Sequence, residues 1–287
     1  MIRRESRLDS GLPRDVFTRL ISISRSQRWL LRRQEKINSL FSDFTDEKDQ
    51  SFLCDLLERF TYIDGETLAD SLEEIGRKIT IDWGCTPENT LVAAMDKSRY
   101  ADSSSAVAWM IKPVLADLGD WETHKIYKKL TDLIDDVSSG QKIVIVDEFV
   151  GSGETLSKRL KWIRGELGKS GKSVEIYVAT IAAMELVQSK DLSDADDFHT
   201  TVWLKQGIND YYSGEELTAA TDRMIDIEGD LLPEVNFLKL SKYSLGYKKT
   251  QSTYYLENGN PPNNNFPVFW WKMRKSGQRR RPLIPRV

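Results

Sequence analysis

Two adjacent carboxylates and a glycine-rich loop stand together near the middle of the chain, where their chemistry would suit a sugar phosphate. Asp147 and Glu148 directly follow residues 143–146, an apolar and mostly β-branched run that predicts a short buried strand. The loop of residues 151–155 comes next, and apolar residues at helical spacing then predict a helix. Glycines let backbone N–H groups approach an anion closely, and the helix N-terminus adds its dipole. We therefore expect a phosphate to lie on this loop.

The position of the two carboxylates in the predicted sheet suggests their role. In an open parallel sheet, ligands bind at the carboxyl ends of the strands. Asp147 and Glu148 could accept hydrogen bonds from sugar hydroxyls there, or hold Mg²⁺ directly or through water. Ser152 and Thr155 add hydroxyl donors to the loop. A strand, turn and helix with incidental acids would leave these residue types unexplained.

Two other phosphate-binding motifs fit the residues poorly. As a Walker B element, the strand and its acids would need a Gly-x-x-x-x-Gly-Lys-Ser/Thr loop elsewhere. The candidate loops at residues 168–170 and 171–173 lack the first glycine, because Ile163 and Glu166 stand at that position. A Rossmann loop would place its glycines directly after the strand, and Leu156 stands here at the third glycine position.

Position by position, the segment resembles the phosphoribosyl-pyrophosphate (PRPP) motif of type I phosphoribosyltransferases. That motif is an apolar strand, two acids, two apolar residues and then small-Ser/Thr-Gly-x-Thr, and Phe149 and Val150 match the apolar pair. The resemblance implies that the acids hold the ribose hydroxyls, take part in catalysis and hold Mg²⁺, while the loop holds the 5′-phosphate. The residues assigned in this way are Asp147, Glu148, Gly151, Ser152, Gly153, Glu154 and Thr155.

A second loop of the family would follow the first core strand, which we predict over residues 90–95. In phosphoribosyltransferases that loop receives the pyrophosphate. The residues suited to this role here are Lys97, Arg99, Ser103, Ser104 and Ser105. Serines before a helix can donate to an anion, and they also serve as ordinary N-cap residues, so both interpretations stay open.

The stretch between Met95 and Ile143 departs from the family pattern. Typical type I enzymes carry a strand and a flexible catalytic loop there, whereas the apolar spacing here predicts only helices, one of them over residues 121–138. The leading hypothesis is an Mg²⁺-dependent enzyme that transfers from PRPP, or one that cleaves an N-glycosidic bond of a nucleotide or NAD. The missing loop favours the alternative, a catalytically inactive module that senses a nucleotide.

The remaining segments predict the elements that would position this motif. Residues 174–183 and 201–204 have strand character, and helical stretches follow each of them. This alternation predicts an α/β fold with a parallel, doubly wound sheet of the type I phosphoribosyltransferase kind. Three stretches with apolar residues at helical spacing predict a helical N-terminal layer: residues 14–44, 48–60 and 67–79.

The C-terminal segment, residues 241–287, mixes asparagine, proline and aromatic residues. We expect an aromatic cap near the site, or else an edge strand and a packed tail. As a cap, its candidates for contact with a base are Tyr247, Asn264 and Trp270. The whole chain would then be one compact unit, with a helical layer over residues 1–85, an α/β core over residues 86–240 and this cap with its basic tail.

The same segment carries a second resemblance. Gly-Tyr, then Pro-x-Asn-x-x-Pro with Trp, then Pro-Leu-x-x-Arg is similar to phosphoribosyltransferase-like proteins of bacterial conflict systems, some encoded beside retron reverse transcriptases. This resemblance implies an effector of antiphage defence, a toxin restrained by a partner. In a retron the partner is a complex of reverse transcriptase and nucleic acid. A structural subunit of a nucleoprotein defence complex is the alternative.

Composition and charge indicate the cellular compartment of the protein and the classes of partner it could bind. No apolar run approaches membrane-spanning length, and Cys54 and Cys85 are too few for a disulfide scaffold, so we expect a cytoplasmic protein with no membrane partner. Residues 1–36 carry ten Arg or Lys against four acids, and residues 272–287 carry seven and no acid. Basic ends of this kind are typical of solvated faces, and they are also compatible with nucleic acid or a partner protein.

Overall fold

The computed structural model describes residues 12–95, 103–122 and 125–287. Its helices are α1 (Arg14–Ser26), α2 (Gln34–Asp43), α3 (Glu47–Glu58), α4 (Gly65–Arg77), α5 (Ser103–Gly119), α6 (Leu130–Asp136), α7 (Glu154–Lys169) and α8 (Gly214–Gly229). Its strands are β1 (Thr61–Ile63), β2 (Thr90–Ala94), β3 (Ile126–Tyr127), β4 (Lys142–Val150), β5 (Glu175–Met184), β6 (Asp197–Leu204), β7 (Glu234–Val235), β8 (Leu238–Lys239) and β9 (Tyr254–Leu256). Within these ranges, every helix is too short or too polar to cross a bilayer.

Five parallel strands form the central sheet, in the order β3-β2-β4-β5-β6. Isoleucine and valine occupy residues 143–146 of β4 and are fully buried, as expected for a parallel strand that is covered on both faces. Lys142 at the start of β4 lies opposite Thr90 of β2 and Glu175 of β5, so the three strands begin at one level. The predicted α/β class with a parallel sheet is confirmed.

The strand order reverses between β2 and β4. From β2 the chain moves outward to β3 at one edge, returns past β2 to β4, and then continues to β5 and β6 on the other side. The chain therefore leaves β2 and β4 in opposite directions, and the crevice between them is where open α/β sheets bind ligands. Met95 follows β2 at this point, and residues 151–153 follow β4.

Helices cover the two faces of the sheet. Because parallel strands are connected with right-handed crossovers, the reversal places α5 on one face and α6 and α7 on the other. α4 packs beside α5 and contacts β5 and β6. The buried side chains of α7 recur at helical spacing and enter the core of the sheet; they are Leu156, Leu160, Ile163 and Leu167.

The N-terminal helices and the C-terminal segment share a second hydrophobic core. α1 to α3, α8 and side chains between residues 245 and 284 contribute to it. β1 and β9 pair in parallel, with Tyr62 opposite Tyr255. Because neighbouring residues in a strand point to opposite sides, Tyr254 packs in the core of the sheet and Tyr255 in the second core. β9 therefore lies between the two cores.

The helical stretch predicted over residues 14–44 is divided in the structure. α1 ends at Ser26, and a 3-10 turn separates it from α2. Gln27 leaves the helical conformation, with φ −103° and ψ 66°, because its side chain bonds elsewhere. Its amide nitrogen donates to the carbonyl oxygen of Phe60 at 2.7 Å, and its amide oxygen accepts from the indole of Trp29 at 2.9 Å. These hydrogen bonds end α1, although apolar residues at helical spacing continue beyond it.

The prediction of only helices between Met95 and Ile143 is also wrong. Ile126 and Tyr127 form β3, which pairs in parallel with β2. Among the described residues of the helix predicted over residues 121–138, the α-helix covers Leu130–Asp136. The apolar spacing fits a helix, but the free edge of β2 offers backbone hydrogen bonds that the short segment takes instead. The chain therefore has a strand where type I enzymes have one.

Candidate functional site

β4 carries the acid pair within the sheet. The predicted strand of residues 143–146 is too short, because pairing with β5 continues to Val150, which lies opposite Ala183. Asp147 and Glu148 are 6% and 3% exposed. The backbone N–H of Glu148 donates to the carboxylate of Asp147 at 2.8 Å. A strand rather than a loop therefore fixes both acids at the carboxyl end of the sheet.

A buried tyrosine that sequence analysis did not assign to the site lies beside Glu148. Tyr254 of β9 is fully buried, and its ring stacks on Phe149 with the centroids 5.0 Å apart. Burial, the adjacent carboxylate of Glu148 and the charge of Asp147 raise the pKa of Tyr254 well above its usual value. The phenol therefore stays protonated and can donate a hydrogen bond to Glu148.

The phosphate loop predicted over residues 151–155 consists of a loop at residues 151–153 and the first two residues of α7. Gly153 is the N-cap of α7 and has φ 73°, a left-handed conformation that favours glycine. The hydroxyl of Ser152 accepts the N–H of Glu154 at 3.4 Å. Because the first N–H groups of a helix have no partner within the helix, the loop and the first turn offer donors to an anion.

Glu154 is placed differently from its neighbours in the loop. It does not line the cavity described below, and its carboxylate pairs with Lys248 at 3.1 Å and with Lys158 at 3.5 Å. The hydrogen bond from Lys248 and the charges of both lysines lower the pKa of Glu154. A carboxylate in this turn would repel a phosphate, and Lys248 offsets that repulsion.

A cavity of about 660 Å³ joins these elements at the switch point of the sheet. Its lining from the sheet and the loop includes Met95, Asp147, Glu148, Gly151, Ser152, Gly153 and Thr155. The C-terminal segment supplies Tyr247, Asn258, Asn260, Asn263, Asn264 and Arg286. Carboxylates, backbone donors, carboxamides and a guanidinium thus line one space.

Asn264 packs the C-terminal segment closely against the predicted phosphate loop. Its Nδ2 donates to Oγ1 of Thr250 at 3.0 Å and to the carbonyl oxygen of Tyr247 at 3.3 Å. A Cβ atom at Gly151 would collide with the carboxamide of Asn264, so the loop needs a glycine there. Of the predicted base contacts, Tyr247 and Asn264 therefore lie at the cavity, and Asn264 also holds its wall together.

Trp270 does not lie at the cavity, which corrects its predicted role as a base contact. It is 3% exposed, and its indole N–H donates to the carbonyl oxygen of Asn265 at 3.0 Å. The guanidinium of Arg286 covers the ring instead, 5.8 Å from its centroid. Arg286 is a cavity residue that sequence analysis missed, and the Pro-Leu-x-x-Arg pattern was the available signal.

Five residues are predicted from the sequence to form a pyrophosphate loop: Lys97, Arg99, Ser103, Ser104 and Ser105. The first two and the side chain of the third lie outside the described residues. Ser104 shares the buried face of α5 with Val107 and Ile111, and Ser105 lines a separate hollow. Neither serine lines the cavity, to which α5 contributes Ala106 instead. The positions of Ser104 and Ser105 around the axis of α5 therefore direct both side chains away from the cavity.

The acid pair would suit Mg²⁺ in combination with a phosphorylated ligand. Among residues 12–95, 103–122 and 125–287, no group of three or more His, Cys, Asp or Glu side chains could hold a metal ion. One or two carboxylates are enough where phosphate oxygens and water complete the coordination, as is usual for Mg²⁺. The donor chemistry of Asp147 and Glu148 fits that arrangement.

A family comparison covers the segments that form this cavity. The sequence model of the PRTase-CE family matches residues 37–286, which include the acid pair, the loop and nearly all of the C-terminal segment. The chain belongs to the PRTase-CE family. Membership confirms the resemblance to phosphoribosyltransferase-like proteins that the motif indicated. No curated protein matches the sequence.

Solved structures similar to this PRTase-CE protein share about half of its chain. A hypothetical protein from Neisseria gonorrhoeae with bound ppGpp is 14% identical over 51% of this chain and 87% of its own, with a TM-score of 0.33. HGPRT-ase from Leishmania tarentolae in complex with GMP is 16% identical over 52% of this chain and 82% of its own, with a TM-score of 0.36. A purine phosphoribosyltransferase from Pyrococcus horikoshii is 15% identical over 50% of this chain and 91% of its own, with a TM-score of 0.31.

Proposed function

We propose that this PRTase-CE protein binds PRPP or a related ribose phosphate in the cavity at the switch point of the sheet. The observation that carries the proposal is the convergence of the acid pair and the phosphate loop on one cavity of about 660 Å³. That volume lies within the range of small-molecule sites, roughly 300–1,000 Å³. Membership in the family supports the same class of ligand.

Each feature of the cavity takes one part of this ligand. The backbone N–H groups of the loop, with the hydroxyls of Ser152 and Thr155, hold the 5′-phosphate. Asp147 and Glu148 accept hydrogen bonds from the ribose hydroxyls. The protonated phenol of Tyr254 stands beside Glu148, and a hydrogen bond from it would favour the ionised carboxylate and fix its orientation.

The same residues would serve a reaction at C1 of the ribose. Departure of pyrophosphate or of a base builds positive charge at C1, and preorganised carboxylates stabilise that charge. Asp147 and Glu148 would also hold Mg²⁺, which when bound neutralises charge on the phosphate groups. Transfer from PRPP and cleavage of an N-glycosidic bond of a nucleotide or NAD share these requirements, and we propose them as the two candidate activities.

Calorimetric titration with PRPP, with and without Mg²⁺, tests the site. We expect binding that strengthens with Mg²⁺ and weakens by more than about 100-fold in the double variant Asp147→Asn/Glu148→Gln, because several charge-assisted hydrogen bonds are lost. The matched control is Asp70→Asn/Glu73→Gln, which removes two exposed acids of α4. Unchanged PRPP affinity in a folded Asp147/Glu148 variant would refute the assignment of the site.

A second candidate function, binding to a macromolecular partner, rests on the N-terminal helices. Phe17, Ile21 and Leu31 are 54%, 43% and 52% exposed, and they line a hollow of about 700 Å³ together with Arg25 and Arg28. Apolar side chains with a basic rim suit a partner with acidic and apolar groups. The resemblance of the C-terminal motifs to proteins of bacterial conflict systems leads us to propose an effector of antiphage defence that a partner restrains at this hollow. In a retron that partner is a complex of reverse transcriptase and nucleic acid.

The proposal of a nucleic-acid-containing partner would be supported if nucleic acid co-purified with the chain at low salt and were lost at high salt. The charge-reversal variant Arg25→Glu/Arg28→Glu should carry less nucleic acid, because the rim loses its positive charge. Lys275→Glu/Arg279→Glu, an exposed pair in the C-terminal segment, is the control. Equal loss in both variants would point to unspecific charge attraction and count against the N-terminal surface.

A further inference from the structure

We infer that Arg286 binds a second anionic group of the ligand, at the C1 side of the ribose, and so selects ligands that carry one. The inference rests on the proposed function, because it takes the loop of residues 151–153 as the site of the 5′-phosphate. The favoured class is a ribose 5-phosphate with pyrophosphate or another anionic group at C1. Neither the acid pair nor the loop would provide this selectivity.

The guanidinium of Arg286 has a fixed place in the wall of the cavity. It donates through Nη1 to the carbonyl oxygen of Pro261, and its central carbon lies 5.8 Å from the ring centroid of Trp270. Trp270 is itself 3% exposed and bonded to the carbonyl oxygen of Asn265. Because the cation is already oriented, less conformational freedom is lost when it binds an anion.

The backbone on both sides of Arg286 is held as well. Ile284 is fully buried, and its N–H donates to the carbonyl oxygen of Phe269 at 3.0 Å. The N–H of Val287 donates to the side chain of Asn260 at 3.1 Å. Arg281 shows the contrast within the same segment, since its side chain is 74% exposed. Arg286 is therefore positioned by the fold.

The cavity combines two features that attract anions with two carboxylates that repel them. The loop offers backbone donors and hydroxyls, which suit a phosphate that approaches the backbone closely. Arg286 places a planar guanidinium fork in the wall of the cavity, and such forks pair with phosphate oxygens. Asp147 and Glu148 disfavour an anion placed directly against them and accept from hydroxyls instead. A ligand with two separate anionic groups and neutral hydroxyls satisfies all these features, and PRPP is one.

Calorimetric titration with PRPP and with ribose 5-phosphate in parallel tests the inference. For Arg286→Gln we expect PRPP affinity to fall about 10- to 100-fold, the effect of one or two charge-assisted hydrogen bonds, while ribose 5-phosphate affinity changes less than about threefold. Arg286→Lys should fall between Arg286→Gln and the wild type, since it keeps the charge and loses the fork. Arg281→Gln, an exposed arginine of the same segment, should leave both affinities unchanged.

The ratio of the two affinities distinguishes the inference from the proposed function. Equal weakening of both ligands in Arg286→Gln, or PRPP affinity at the wild-type level, would overturn the inference and leave the proposed function standing. A wild-type protein that binds neither ligand would overturn both. Because ribose 5-phosphate binding reports an intact site within the same variant, a folding defect cannot imitate the expected result. Should Arg286→Gln fail to fold, Arg286→Lys gives the same test of the ratio.

Discussion

Glu228 is a carboxylate buried at the last turn of α8, away from the acid pair. It is 2% exposed, and its two oxygens accept the N–H of Leu245 at 3.1 and 3.3 Å. Burial raises the pKa of Glu228 to about 7, although hydrogen bonds from Ser244 and Leu245 oppose the rise. The group therefore changes charge near neutral pH where the chain turns toward Tyr247 and the cavity.

Titration of Glu228 should make the stability of the protein depend on pH. Because its pKa is higher in the folded than in the unfolded chain, its contribution is complete at low pH and is lost as the pH rises through 7. Relative to Glu228→Gln, we expect the unfolding free energy of the wild type to fall by about 1–3 kcal/mol between about pH 5 and pH 7.5. Urea titrations at several pH values measure this difference, with the exposed Glu216→Gln on the same helix as control. A difference that does not vary with pH would contradict the prediction.

At the scale of elements, the turn of residues 245–251 carries a run of left-handed backbone conformations in the cavity wall. Five residues between 245 and 251 have φ between 52° and 78°: Leu245, Gly246, Lys248, Lys249 and Gln251. Left-handed conformations cost free energy in non-glycine residues and persist where surrounding contacts impose them. Here the side chain of Gln251 accepts the N–H groups of Ile208 and Asn209, at 3.1 and 2.9 Å. The turn thus brings Tyr247 to the cavity and Lys248 to Glu154 in a fixed geometry.

Two glycines with similar backbone conformations allow a matched test of this turn. Gly246 has φ 78° and Gly277 has φ 83°, but a Cβ at Gly246 would collide with the carbonyl oxygen of Asn264, while a Cβ at Gly277 meets open space. Gly277→Ala should cost about 1 kcal/mol of unfolding free energy for the left-handed conformation alone. Gly246→Ala should cost at least about 2 kcal/mol more, because backbone must move, and should also weaken PRPP binding. Equal costs in urea titrations would show that the turn tolerates the shift.

At the scale of the whole molecule, residues from the two ends of the chain are joined by polar contacts as well as by the second core. Arg33 donates to the carbonyl oxygen of Leu283 and to the hydroxyl of Tyr255, both at 3.0 Å. Asp43 of α2 pairs with the buried Arg280 at 2.6 Å. We propose on this basis that the helical layer, the α/β core and the C-terminal cap unfold as one unit.

Substitutions at both ends of the chain should then affect a single unfolding transition. Leu30 and Ile284 are fully buried in the second core, and we expect Leu30→Ala and Ile284→Ala each to cost about 2–5 kcal/mol, from lost burial and a cavity. Tryptophan fluorescence and far-ultraviolet circular dichroism should report coincident transitions in both variants. Ile225→Ala on α8, where the side chain is 46% exposed, is the control. A second transition that neither substitution shifts would show that part of the chain unfolds independently.

The acid pair, the glycine-rich loop after it and most strands of the sheet could be predicted from the sequence, because their signals are local. Residues 143–146 are apolar and β-branched, the acids follow at once, and glycines precede a helical pattern within the next few positions. Such short-range order specifies strand, loop and helix N-terminus before any distant contact forms. The family resemblance was visible in the same segment.

Tertiary structure alone decided the elements whose state depends on distant partners. Gln27 ends α1 by bonding Phe60, and residues 126–127 become a strand because the edge of β2 is available. Tertiary structure also decided which residues line the site. Trp270 is buried away from the cavity, whereas packing of the C-terminal segment places Arg286 in the cavity wall. Local spacing contains no information about such contacts, because they are selected by the free energy of burial and hydrogen bonding in the assembled fold.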